Sequence, residues 1–111
     1  MTSPSADAVK YISPSDIRRM FNESQYPGMI ADRTLTPEYL RDAHLTNPEA
    51  VGEPFCTRGQ MIRYYDSSGQ WIVEVFQYLR QDKTIGGSGR QDPKRLRSAN
   101  AVFAVEVERR S

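Results

Sequence analysis

A glycine-rich basic segment, residues 80–97, carries the residue types that point most directly to chemistry. It contains Gly86-Gly87-Ser88-Gly89 with lysines and arginines on both sides. Glycine lets the backbone approach an anion with several N–H groups pointing the same way, and arginine offers a fork of donors that matches phosphate. Neither of the two common glycine-rich phosphate fingerprints is present. The predicted anion-binding residues are Lys83, Gly87, Arg90, Lys94, Arg95 and Arg97.

Positive charge is concentrated in this segment, although the whole chain is nearly neutral. Residues 80–97 contain six basic and two acidic residues, a net charge of +4, whereas the remainder has nine basic and twelve acidic residues, a net charge of −3. A localised basic patch is typical of proteins that bind nucleic acid or another polyanion. The alternative interpretation is a solvated connecting loop whose charges have no partner.

The apolar run before the basic segment adds aromatic and acidic side chains. Phe76 and Tyr78 are predicted to share one face of a strand with Glu74. Exposed aromatic rings on a sheet stack nucleic-acid bases, whereas rings beneath a helix belong to the core, and the sequence leaves both readings open. Glu74, with Arg63 on the neighbouring strand, has the residue types of a general base and a cation. The alternative interpretation of Glu74 and Arg63 is a cross-strand ion pair, which contributes little to the stability of the fold.

Several kinds of site are disfavoured by composition. The chain has one histidine, His44, and one cysteine, Cys56, so we expect no metal, no cofactor and no internal disulfide. A single cysteine is typical of a reducing compartment, and we therefore expect a cytoplasmic protein. No apolar run approaches the ~18 residues that span a bilayer, and the first residues do not read as a secretory signal, so no membrane association is expected.

These features favour a small binding module over an enzyme, with three functional hypotheses. The first is contact with nucleic acid or another polyanion through the basic segment. The second is a protein–protein interaction or toxin-neutralising adaptor, because an acidic helical half and a basic loop offer two complementary surfaces to a protein partner, including an acidic one. The third is a metal-free ribonuclease built on Glu74.

The elements that must position these residues are predicted as helices followed by strands. Residues 1–10 are small and polar and are expected to be disordered, and residues 11–111 are expected to form a single α+β domain. Ser13-Pro14 predicts a helix over 14–24, and Thr36-Pro37 predicts a second over 36–45. Asn47-Pro48 predicts a third helix of about one turn.

The second half of the chain has the alternation of strands. Residues 60–65 and 70–80 predict a hairpin across the turn sequence 66–69. Residues 81–100 are predicted as a loop, and 101–108 as a last strand that pairs with 70–80. The predicted fold is therefore two to three N-terminal helices packed on a C-terminal three-stranded antiparallel sheet.

Overall fold

A computed structural model describes residues 8–99 and 101–106 of the chain. Within them, one six-stranded sheet carries two short α-helices and a 3₁₀ turn. The strands are β1 (Ala8–Ile12), β2 (Thr36–His44), β3 (Arg58–Tyr65), β4 (Trp71–Leu79), β5 (Asp92–Ser98) and β6 (Ala101–Val105). The helices are α1 (Pro14–Glu23) and α2 (Tyr26–Ala31), and the 3₁₀ turn is Pro48–Val51.

The sheet is mixed, with the strand order β1-β6-β5-β4-β3-β2. Four of its strand pairings are antiparallel, and β1 runs parallel to β6 at one edge. The predicted three-stranded antiparallel sheet beneath two or three N-terminal helices is therefore wrong. Three strands were missed: β1, β2 and β5. Residues 8–10, inside the segment 1–10 that we expected to be disordered, belong to β1, and residues 1–7 lie outside the described residues.

Helix α1 confirms the first predicted element. The Asp16 N–H donates to the Ser13 hydroxyl at 3.1 Å, so Ser13 caps the helix, and Pro14 fills the first position, where no N–H is needed. Ile17 and Phe21, one turn apart, are buried against the sheet. The charged side chains of the next positions therefore point away from the core.

The predicted helix over 36–45 is wrong, because residues 36–44 form the edge strand β2. The Thr36-Pro37 cap signal is local, and a nine-residue strand paired along β3 outweighs it. Pro37 is compatible with this position because an edge strand has one side without ladder bonds. All nine residues are exposed, including the apolar side chains of Tyr39 and Leu40.

The hairpin β3–β4 confirms the predicted strand pair and its turn. The Asp66 carboxylate accepts from the N–H groups of Ser68 and Gln70, at 2.9 and 3.0 Å. Gly69 takes φ +88°, which the tight turn requires and side chains disfavour. The hairpin places Arg63 directly opposite Glu74.

The predicted loop over 81–100 is wrong in its second half, which forms β5. This strand lies between β4 and β6, so the last strand pairs with β5 and not with the long strand β4. The register shifts between Glu74–Arg95 and Val75–Pro93, which makes Lys94 the extra residue of a bulge. A proline without an N–H is tolerated at a bulge, so Asp92-Pro93 does not break the strand.

The core lies between the sheet and the two helices. Its completely buried side chains include Ile17 from α1 and Val73 and Val75 from β4, and Leu96 on β5 is 2% exposed. β4 is central, with Val73 and Val75 on the helix side and Glu74 on the opposite face. In the described residues, neither helix is long and apolar enough to cross a membrane.

Candidate anion-binding cleft

A cleft opens beside the central strand because β4 and β5 differ in extent. β4 runs to Leu79, whereas β5 begins at Asp92, opposite Phe76. The end of β4 therefore lacks a strand neighbour on this side, and residues 80–91 fold back beside it. The Gly86 N–H donates to the Tyr78 carbonyl at 2.8 Å. Between this segment, α1 and the start of β5 lies a cleft of about 990 Å³.

The walls of the cleft carry more positive than negative charge. The charged residues that line it are the cations Arg18, Arg19, Arg90 and Lys94 and the carboxylates Glu23 and Asp92. They come from three separate elements: α1, the glycine-rich segment and β5. The fold thus gathers cations that are more than 70 residues apart in the chain.

The ion pairs of the cleft compensate part of this positive charge, since the Arg19 guanidinium lies 3.1 Å from Asp16. Asp92 lies between two cations, 3.7 Å from Arg18 and 2.9 Å from Lys94. One carboxylate is therefore shared by two cationic groups. The guanidinium of Arg90 is exposed and has no ion pair among the residues that the structure describes.

Two aromatic rings and three side-chain amides, one of them from Asn22, also line the cleft. Phe76 and Tyr78 line the cleft in an edge-to-face pair, with ring centres 5.1 Å apart and planes at 88°. Both rings are half-buried, so they are neither core nor free surface. Gln77 and Gln91 also reach the cleft. An apolar ring beside cations and amides suits a ligand that combines a flat ring with negative charge.

The glycine-rich turn at the cleft wall already holds an anion, which is the protein's own Glu53 carboxylate. The Gly87 N–H donates to Glu53 Oε2 at 2.7 Å, and Arg80 donates to both oxygens, at 2.9 and 3.3 Å. The Glu53 side chain is 1% exposed. These hydrogen bonds, that from Arg80 first and that from Gly87 second, lower the pKa of the Glu53 carboxyl below 4.5.

This contact explains what the two glycines do in the fold. A Cβ on Gly86 would meet the Glu53 carboxylate, and Gly87 has φ +60°. The predicted property of the turn, backbone N–H groups that receive an anion, is therefore used internally. The Glu53 contact, which we name the Glu53 clasp, ties residues 80–91 to the loop before β3 and gives the cleft a fixed wall.

Arg95 and Arg97 lie away from the cleft, on the opposite face of the sheet from the buried Leu96. The Arg97 guanidinium stacks 4.8 Å from the centre of the Trp71 ring, and its Nε donates to the Trp71 carbonyl at 3.2 Å. Arg95 stands opposite Glu74 in the β4–β5 register. Glu74 is 7% exposed and is paired with Arg63 at 2.6 Å.

The six predicted anion-binding residues therefore fall into separate places. Arg90, Lys94 and Gly87 line the cleft, although the Gly87 N–H is engaged by Glu53. Arg95 and Arg97 share the far face of the sheet. Lys83 is exposed in a turn, with φ +75°, and does not line the cleft.

Sequence reasoning missed the contribution of α1 to the cleft. Arg18 and Arg19 follow the buried Ile17, and the helical period that buries Ile17 and Phe21 turns these arginines outward. That orientation was readable from the sequence, but the approach of α1 to the start of β5 was not, because β5 itself was not predicted.

The described residues 8–99 and 101–106 contain no group of three or more His, Cys, Asp or Glu residues arranged to hold a metal ion. Comparison of the chain with protein-family models, with curated proteins and with solved structures gave no match.

Proposed function

We propose that this protein binds single-stranded nucleic acid in the cleft between α1, β4 and residues 86–94. The observation that carries the proposal is the set of four cations facing two carboxylates around a pair of half-buried aromatic rings. Cations on the walls suit phosphates, and an aromatic face suits an unpaired base. Arg90 and Lys94, from the predicted set, act with Arg18 and Arg19.

The charge arrangement supports phosphate binding more than internal ion pairing. Asp92 is the one described carboxylate bonded to Arg18 or Lys94, so a phosphate entering the cleft would gain contacts without displacing a strong internal pair. Arg90 needs no internal bond to be broken. Surface ion pairs contribute only about 0–1 kcal/mol each, so their rearrangement costs little.

Single strands fit the cleft better than duplexes. Stacking on Tyr78 requires a base that is free of its own neighbours, and bases in a duplex are stacked and paired. Modules that bind without strong sequence preference combine a basic groove with such rings. The single cysteine favours a reducing compartment, and the proposal therefore places the protein in the cytoplasm.

Salt dependence of binding tests the proposal. For three to four phosphate contacts, the logarithm of the affinity should fall with the logarithm of salt concentration with a slope of about −2 to −3. A labelled single-stranded decamer of mixed sequence should therefore bind about 20- to 50-fold more weakly at 200 mM than at 50 mM salt. An affinity that is flat with salt, or absent at 50 mM, would refute the proposal.

Two further ligands distinguish the alternatives. A duplex of the same sequence should bind more weakly than the single strand. Polyglutamate carries negative charge without bases, and binding as tight as that of the decamer would favour an acidic protein partner instead. That result would support the interaction-adaptor hypothesis.

Cleavage of RNA at Glu74 is the second candidate function. It is favoured by one observation, the placement of Arg63 and Arg95 directly opposite Glu74 on the two neighbouring strands. The Glu74 side chain is buried and bonded to Arg63, so a substrate must displace that arginine before Glu74 accepts a proton. RNA cleavage that survives a chelator and is lost in Glu74→Gln would support this function, and intact RNA after prolonged incubation would exclude it.

A further inference from the structure

A row of side-chain amides runs from strand β3 across β4 to the cleft. Gln77 Nε2 donates to Gln60 Oε1 at 2.7 Å, and Gln91 Nε2 donates to Gln77 Oε1 at 2.9 Å. Gln91 Nε2 also donates to the Tyr64 hydroxyl at 3.2 Å. Gln60 and Gln77 are 4% and 9% exposed, so each has few polar partners besides its neighbour in the row.

The far end of the row is anchored to a group that only accepts. Asp42 on β2 is the register partner of Gln60 on β3. Arg58 Nε donates to Asp42 Oδ1 at 2.7 Å, and this hydrogen bond is the main cause of the lowered pKa of the Asp42 carboxyl. An ionised carboxylate has no proton to donate, so it favours the NH₂ group of its neighbour Gln60 and leaves the Gln60 oxygen to accept from Gln77.

That anchor sets the direction of every amide that follows. With its NH₂ group on the side of Asp42, Gln60 presents its oxygen to Gln77, and Gln77 donates to it and presents its own oxygen to Gln91. Gln91 in turn must donate inward. Its Oε1 has no hydrogen-bond partner among the described residues, and Gln91 lines the cleft. The row therefore delivers one oriented acceptor to the ligand site.

We propose that Gln91 Oε1 accepts a hydrogen bond from the exocyclic amino group of an unpaired base, so that the cleft selects bases such as adenine and cytosine over uracil. This inference rests on the proposed function, since the base must first enter the cleft. Uracil offers carbonyl oxygens on this edge, and two facing acceptors repel each other. Gln91 is thus a specificity-determining residue, and Asp42 is a positioning residue that acts through Gln60 and Gln77.

The ligand chemistry agrees with the rest of the cleft. Tyr78 offers a ring on which a base stacks, and Arg90, adjacent to Gln91 in the chain, supplies charge for a phosphate. All three side chains line the same cleft, so a base stacked on Tyr78 would lie in the site that Arg90 and Gln91 border. Reading of that edge requires an unpaired base, which agrees with a preference for single strands.

The test compares two oligonucleotides that differ only in the group under question. One is a labelled decamer of adenosine, and the other is a decamer of purine riboside, which lacks the amino group but keeps the purine ring. The full-length protein should bind the adenosine decamer about 3- to 10-fold more tightly, the contribution of one neutral hydrogen bond. Equal affinities with preserved salt dependence would overturn the inference and leave the proposed function standing. If neither decamer binds, both fail.

Two variants separate Gln91 from the stacking contribution. Gln91→Met keeps the length of the side chain without the acceptor, and should bring the two affinities within about twofold of each other. Gln91→Met also leaves Gln77 Oε1 without its hydrogen-bond donor. A second variant therefore changes the orientation of the row without altering Gln91 itself. The amide of Asp42→Asn can present either an oxygen or an NH₂ group to Gln60, so the hydrogen bonds of the amide row can run in the opposite direction. The preference for adenosine over purine riboside should then fall.

The control for the remote variant is Glu38→Gln, on the same strand β2. Glu38 accepts from the Tyr65 hydroxyl and takes no part in the amide row. Glu38→Gln removes one negative charge from β2, as Asp42→Asn does, but leaves the amide row untouched. This variant should therefore keep the full preference for adenosine. Loss of discrimination in Glu38→Gln as well, or its survival in both Asp42→Asn and Gln91→Met, would contradict the oriented row.

Discussion

Replacing Gly86 with alanine is expected to force the Glu53 carboxylate away from the glycine-rich turn. A Cβ at this position would lie 2.3 Å from Glu53 Oε1 and 2.6 Å from its Cδ, whereas Cβ contacts under 3.0 Å are essentially never seen. The carboxylate has little freedom to withdraw, because Arg80 and the Gly87 N–H hold its two oxygens at 2.9 and 2.7 Å. Relief of the overlap therefore breaks part of the Glu53 clasp.

The expected magnitude follows from the overlap. Forcing one extra carbon into a close-packed place costs about 1–3 kcal/mol. For a domain of this size, about 1 kcal/mol corresponds to about 4–8 °C in Tm, so thermal unfolding of Gly86→Ala should begin at least several degrees lower. Gly28→Ala is the matched control, because Gly28 lies in α2 with no atom within 4 Å of its added Cβ. It should be neutral or slightly stabilising.

A double-mutant cycle assigns the cost to the Glu53 contact. In Glu53→Ala the carboxylate is gone, so the added methyl group of Gly86→Ala should fit and cost less than in the wild-type protein. Urea unfolding of the four proteins measures the free energy of unfolding, and the cycle should show a coupling of about 1 kcal/mol or more. If Gly86→Ala costs the same in both backgrounds, or nothing in the wild type, the carboxylate does not sit in the turn.

Three further outcomes are expected. The pKa of Glu53 in the folded state is lowered from 4.5. The stabilisation by its carboxylate is therefore present above about pH 4.5 and is lost as the pH falls through the folded-state pKa. Urea titrations from pH 6 to pH 3 should show a shrinking difference in unfolding free energy between the wild type and Glu53→Gln. In Glu53→Ala, the Gly87 N–H and Arg80 lose their internal anion, so 50 mM phosphate should raise Tm more than in the wild type. An equal shift in the two proteins would contradict the Glu53 clasp as an anion-binding turn. Ile17→Ala, at a completely buried position of α1, should cost about 2–5 kcal/mol of unfolding free energy, and a cost below that range would mean that α1 is loosely packed.

Local signals in the sequence predicted the elements whose stabilising contacts are also local. Ser13 and Pro14 start α1, and the Asp66 turn closes the β3–β4 hairpin, because in both cases the partners lie within a few residues. The prediction of a three-stranded sheet was wrong where strands that are far apart in the chain pair with each other. β1 pairs with a strand about 90 residues away, and no local pattern encodes that contact.

The basic segment shows how register decides which cations meet. Lys94, Arg95 and Arg97 are close in the chain, yet a bulge at Lys94 and the alternation of β5 send them to different places. Arg18 and Arg90 are far apart in the chain and line the same cleft. Composition therefore predicted a concentration of charge, whereas the location of the site depended on strand β5.

The sequence predicted that the glycine-rich turn receives an anion, but not that this anion is the carboxylate of Glu53. The turn at Gly86 and Gly87 does receive a carboxylate through a backbone N–H, as the sequence suggests for an external anion. The partner Glu53 precedes Gly87 by 34 residues and comes from a loop with no signal of its own. Only the folded chain shows that an internal group takes this place.

A comparison of two charge-matched double variants tests the central claim, that the cleft is where a polyanion binds. Arg18→Gln with Arg90→Gln removes two cations from the cleft, and Lys83→Gln with Arg41→Gln removes two exposed cations outside it. Affinity for a single-stranded decamer, measured from 50 to 200 mM salt, should fall about tenfold or more at 50 mM in the first variant, with a salt slope reduced by about 1.4. The second should stay within about twofold of the wild type. Equal losses in the two variants would contradict the cleft as the binding site.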